Sequence, residues 1–241
     1  MAQLFAGTSG FAYPSWKPRF YPAKLPQAKF LQHYATRLNC VEINYTFRRM
    51  PAATTLANWI AATPPGFRFA LKAHERITHL RRLQNAAEPT EAFLNSIRPL
   101  GDAGRLGPVL FQLPPQCRGD VALLRDYLAL LPPEPRCAFE FRHESWLTEP
   151  VYALLAERNV ALCVAESETL EVPEVVTADF VYFRLRKPEY TAEEVAAARA
   201  RADALLAAGK DVFVFFKHEE TPEGALYAEQ VLSRPVAAPS G

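Results

Sequence analysis

Eight short β-rich runs recur along 241 residues, with helix-like stretches between most of them. The runs are QLFAGTSG (3–10), CVEIN (40–44), FRFALKA (67–73), GPVLFQLPP (107–115), CAFEFR (137–142), VALCVAES (160–167), DFVYFRLR (179–186) and DVFVFFKHE (211–219). Between them, KFLQHYATRLN (29–39), VALLRDYLALL (121–131), PVYALLAERN (150–159) and AEEVAAARARADALLAAGK (192–210) return apolar residues at helical spacing. Strands that alternate with helices pair in parallel through right-handed crossovers. Eight such units in this length predict an α/β fold of the (β/α)8 TIM-barrel type, which needs about 250 residues. A doubly wound open sheet is the rival. It is disfavoured because the first loop, GTSGFAYPSW, lacks the dinucleotide-binding glycine pattern and no helix follows promptly. The unit after strand six is expected to be shortened, since ETLEVPEVVTA (168–178) is brief and interrupted by proline. No composition break marks a second domain, so one barrel is expected over 1–233, with RPVAAPSG (234–241) as a flexible tail.

With 49% hydrophobic residues the chain can bury a large core, yet its strands end in charge. The stretch CAFEFRHESW (137–146) threads Glu140 and Arg142 through an otherwise apolar run. Burying either group unpaired costs several kcal/mol, so the charges must meet partners. In a parallel barrel all strands end at one face, where the loops build the active site. The polar strand ends are Glu42 and Asn44, Lys72, Gln112, Glu140 and Arg142, Glu166, Arg184, and Lys217. Residues at i and i+2 share a strand face, so Glu42 points with Asn44 and Glu140 with Arg142. Pointing inward, they would gather carboxylates, cations and amides that neutralise one another. A purely structural salt-bridge layer is the alternative.

This pattern nominates Glu42 and Glu140 as acid–base groups, with Lys72 as a third catalytic candidate. Asn44, Gln112, Arg142, Trp146, Arg184 and Lys217 are ligand-binding candidates, the cations suiting an anionic group. The first loop adds Tyr13 and Trp16 within GFAYPSWKPRFYP, which could stack on a sugar ring or instead pack as a lid. Cys40, Cys117, Cys137 and Cys163 form no CxxC and suit a reducing cytoplasm. The pairs His74-Glu75, His143-Glu144 and His218-Glu219 lack HExxH or HxH spacing, so neither a metal nor another cofactor is expected. The N-terminus reads as a first strand rather than a signal peptide, and no apolar run approaches a membrane span. A net charge of +1 gives no global field for nucleic acid, although Arg48, Arg49, Arg76, Arg81 and Arg82 make local basic spots.

Six motifs together resemble the DUF72 family: GTSGFAYPSWKPRFYP (7–22), VEINYTFRRMP (41–51), FRFALKAHERITH (67–79), LGPVLFQLPP (106–115), FEFRHESW (139–146) and TADFVYFRLR (177–186). The resemblance implies a TIM barrel and supplies no reaction. The chain departs from the commoner pattern at Ala165-Glu166 and at Arg184-Leu185-Arg186-Lys187. The expected ligand is a small polar molecule, anionic, phosphorylated or carbohydrate-like. The chain would act as an enzyme or as a non-catalytic metabolite-binding module. A nucleic-acid-processing or metal-dependent barrel is the weaker third reading.

Overall fold

The computed structural model describes residues 1–217 and 220–233. All eight runs form strands: β1 (Leu4–Thr8), β2 (Cys40–Ile43), β3 (Arg68–Lys72), β4 (Leu106–Gln112), β5 (Cys137–Glu140), β6 (Ala161–Ala165), β7 (Phe180–Leu185) and β8 (Asp211–Phe216). Every neighbouring pair is parallel, in the order β1-β8-β7-β6-β5-β4-β3-β2. The helices are α1 (Phe30–Arg37), α2 (Ala53–Ala62), α3 (Ala87–Asp102), α4 (Val121–Leu130), α5 (Glu149–Glu157), α6 (Ala192–Ala207) and α7 (Glu223–Leu232). None joins β6 to β7, as the proline-broken sequence implies. The arrangement is a (β/α)8-type barrel with one helix omitted. The tail 234–241 and the pair His218-Glu219 lie outside the described residues.

Local chemistry starts the helices where the sequence changes. Asp120 accepts from the Leu123 amide at 2.9 Å and caps α4. Thr191 and Glu194 form a reciprocal capping box at the start of α6. The strands then alternate between two cores. One phase, including Val41, Phe69, Phe111, Phe139, Val181 and Val214, packs outward against the helices. The other fills the barrel, where Ala70, Ala138 and Ala161 leave room for rings from β1, β7 and β8. Phe5 and Phe213 stack there with centroids 4.6 Å apart. These rings plug the barrel, so polar inward positions occur above them, toward the C-terminal mouth.

The ring of strands closes at a seam. β1 and β2 share one parallel bridge, Ser9 to Glu42, with the Gly10 amide donating to the Glu42 carbonyl at 2.8 Å. Below it, side chains replace the backbone ladder. Asn39 donates Nδ2–H to the Leu4 carbonyl at 2.8 Å and accepts from the Ala6 amide at 3.0 Å. The Tyr34 hydroxyl accepts from the Thr8 amide and donates to the Cys40 carbonyl, each at 2.9 Å. This seam sets Ser9 beside Glu42, at the edge of the mouth.

Candidate functional site

Arg184, at the end of β7, is 2% exposed and bridges two buried carboxylates from opposite parts of the barrel. Its Nη2 donates to Glu42 Oε1 at 2.7 Å and its Nη1 to Glu140 Oε2 at 2.5 Å. Glu42 also accepts from Ser9 Oγ and from the Tyr182 hydroxyl, both at 2.7 Å. Glu140 accepts from Gln112 Nε2 at 2.9 Å, Arg142 Nε at 3.0 Å and Arg186 Nη2 at 3.2 Å. Gln112 passes the chain onward, accepting from Lys72 Nζ at 2.8 Å. Lys72 Nζ also lies 4.0 Å above the centre of the Phe47 ring. Six sequence-predicted residues, Glu42, Lys72, Gln112, Glu140, Arg142 and Arg184, therefore form one hydrogen-bonded constellation.

Burial alone would raise the Glu42 carboxyl, but Arg184, Tyr182 and Ser9 outweigh it and hold the group below its ordinary value. Burial likewise opposes charge on Glu140, yet Arg184, Arg186 and Arg142 hold its carboxyl well below the usual carboxylate range. Despite burial, the two carboxylates hold Arg184 well above the usual guanidinium range. Both carboxyls are thus ionised at neutral pH. These surroundings suit neither carboxyl to hold a proton as an acid, because one guanidinium serves both. Lys72 moves the other way, pushed down to about 8 by burial and then by the charge of Arg184.

The remaining predicted residues stand apart from the constellation. Trp16 has no exposed surface; it stacks with Tyr21 and meets Phe20 edge-on, so the first loop packs its rings against the body. Tyr13 packs on Trp16 and its hydroxyl donates to the Ser9 carbonyl at 3.0 Å, which supports the seam. Trp146 is also fully buried, stacked on Phe141, and its indole N–H donates to the Cys117 carbonyl at 2.7 Å. Asn44 follows β2, half-buried, and its Oδ1 has no hydrogen-bond partner among the described residues. Lys217 is exposed on a cleft of about 1080 Å³ that Arg186, Lys187 and the loop after β6 also line. A narrower cavity of about 200 Å³ opens directly beside Glu140, Arg142 and Arg186.

Three participants were missed as site residues in the sequence: Ser9, Tyr182 and Arg186. The alternation rule held two of them in plain view, since Tyr182, Arg184 and Arg186 are spaced by two along β7 and its end. Glu166 has a structural role here, accepting from the Arg186 amide at 2.5 Å and from the Tyr190 hydroxyl. Among the described residues no group of three or more His, Cys, Asp or Glu side chains gathers as metal ligands would. All four cysteines are buried free thiols, and burial pushes each of them up. No helix among the described residues is long and apolar enough to cross a membrane.

The DUF72 family model, described as a protein of unknown function, matches residues 5–239. The chain is 34% identical over 139 residues to UPF0759 protein YunF of Bacillus subtilis, covering 55% of this chain and 49% of that one. It is 31% identical over 147 residues to UPF0759 protein YecE of Escherichia coli, covering 61% and 51%. The chain spans about half the length of the curated relatives it matches. Among solved structures, a DUF72 family protein from Thermotoga maritima superposes with a TM-score of 0.84 at 27% identity, over 95% of this chain and 98% of that chain. A DUF72 family protein from Enterococcus faecalis reaches 0.77 at 20% identity over 96% and 98%, a likeness of fold. Matched over nearly all its length and sharing the barrel, this chain belongs to the DUF72 family.

Proposed function

We propose that the barrel mouth binds a small anionic ligand, a phosphorylated or carboxylated metabolite, through Arg142, Arg186 and Lys72. The observation that carries this reading is an imbalance. Four cations, Lys72, Arg142, Arg184 and Arg186, stand among Glu42, Glu140 and Glu166, and the Nε–H of Arg186, which lines the cavity, is buried without a partner among the described residues. Buried donors without partners are costly, and an oxyanion satisfies such groups well. Arg142 and Arg186 keep 35% and 21% of their side chains exposed beside the cavity, while Arg184 keeps 3%. Arg184 therefore holds the frame and the other two meet the ligand. Glu42 and Glu140 act as fixed counter-charges that aim the guanidinium groups, rather than as an acid–base pair.

Thermal unfolding in the presence of small anions tests the proposal. A ligand at a hundred times its Kd stabilises by about 2.7 kcal/mol, on the order of 5–10 °C for a domain of this size. Inorganic phosphate or sugar phosphates should raise Tm in the wild type, neutral sugars should not, and Arg142→Ala should lose the response. Equal shifts in the wild type and Arg142→Ala would sink the assignment.

A further inference from the structure

Resting on the anion-site reading above, we propose that Lys72 is a nucleophile that forms an imine with the carbonyl carbon of a small anionic aldehyde or ketone. Three features of its surroundings point there. First, the amine has no carboxylate partner among the described residues: its one hydrogen bond is to the neutral Gln112 amide, and its other contact is the Phe47 ring. An ion-paired lysine would keep its proton, whereas a desolvated one beside cations gives it up and becomes nucleophilic. Burial and Arg184 push this amine in that direction. Second, His79 shares the Phe47 ring, edge-on at 4.7 Å between centroids, and burial together with the charge of Lys72 keeps its imidazole neutral. Third, the segment that carries His79 is built irregularly. It makes one π turn over Arg76–Leu80, and Arg82, Leu83 and Asn85 follow with φ of 48°, 70° and 48°. Three non-glycine residues in the left-handed region are costly, and such backbone concentrates at functional sites.

The step balances within these groups. The Lys72 ammonium passes a proton to His79, and the free Nζ lone pair adds to the carbonyl carbon while the C=O π electrons move to oxygen. A proton then moves from that nitrogen to the alkoxide oxygen, which gives the neutral carbinolamine. His79 then returns its proton to the hydroxyl, the C–O bond breaks, and water leaves a protonated imine. No net proton, oxidant or reductant is consumed. Arg142, linked to Lys72 along the network through Gln112 and Glu140, would hold the substrate's anionic group.

Borohydride trapping decides the matter. The intact protein is incubated with dihydroxyacetone phosphate, glyceraldehyde 3-phosphate or pyruvate, and with neutral dihydroxyacetone as control. It is then reduced, and the adduct is located by peptide mass spectrometry. The expected result is one reduced adduct on Lys72, at least tenfold above that on Lys17, Lys24, Lys29 or Lys187. It should be strong with at least one anionic probe, weak with the neutral one, and lower in Arg142→Ala. Labelling that spreads evenly over the surface lysines would overturn the inference, as would no adduct at Lys72 with any anionic probe. If phosphate still raises Tm in that case, the imine alone falls and the anion site stands; if phosphate has no effect either, both fall. The adduct is mapped in the unmutated protein, so the outcome does not depend on whether Lys72→Met folds.

Discussion

Arg184 holds the mouth together, and its removal should show why. It is the shared counter-charge of two carboxylates that are almost wholly buried. Taking away one member of such a cluster leaves uncompensated buried charge and costs about 3–5 kcal/mol. We predict a loss of that order for Arg184→Met in urea unfolding at pH 7, and little recovery in Arg184→Lys, whose ammonium cannot reach both partners with a fork. The pH dependence follows with a definite sign. A carboxyl held low in the folded protein takes up its proton more readily after unfolding. Its contribution to stability is complete above about pH 4.3 and is lost as pH falls toward the folded value. Wild-type stability should therefore begin to drop as pH falls past about 4.3 and keep dropping below it, and Arg184→Met should show a flatter slope. Parallel slopes would mean that Arg184 does not set the two carboxyls. Much of this network was legible in the sequence, because charged residues interrupt apolar strand ends at regular intervals. The sharing of one guanidinium by Glu42 and Glu140 was not, since it depends on a distance across the barrel that no spacing along the chain encodes.

Between β1 and β2 the structure depends on side chains that read as ordinary. All eight strands and the missing helix between β6 and β7 follow from periodicity and from Pro173. Asn39 and Tyr34, however, look like a helix end and a helix face until the seam places them against the open edge of β1. Asn39→Ala removes partners from the Leu4 carbonyl and the Ala6 amide in a half-buried place, so we expect a loss of about 1–3 kcal/mol. Gly7→Ala should be worse, because a Cβ there would sit 2.0 Å from the Cys40 carbonyl oxygen and force the seam apart. Amide hydrogen exchange in either variant should rise first at Ala6 and Thr8. Protection unchanged there, with normal stability, would show that the side chains do not carry the closure. The first loop behaves in a related way. Its aromatic richness suits a sugar platform and a packed lid equally well in sequence, and the burial of Trp16 and Tyr21 favours packing.

The whole barrel is close to neutral, with a net charge of +1, so the mouth owes its character to local excess rather than to a global field. That excess was foreseeable as a set of residue types. The separate parts of Arg186 and Glu166 were not, because Arg186 joins from beyond β7 and Glu166 turns aside to bind backbone amides. We propose, as above, that the unsatisfied Arg186 donor together with Arg142 and Lys72 makes this end of the barrel a seat for an oxyanion. The most direct test is a crystal soaked in tungstate, whose anomalous signal locates an oxyanion without prior assumption. The strongest peak is expected at the mouth, within hydrogen-bonding reach of Arg142 and Arg186 and on the side facing Lys72. Tungstate peaks confined to the outer helices, with none at the mouth, would contradict it.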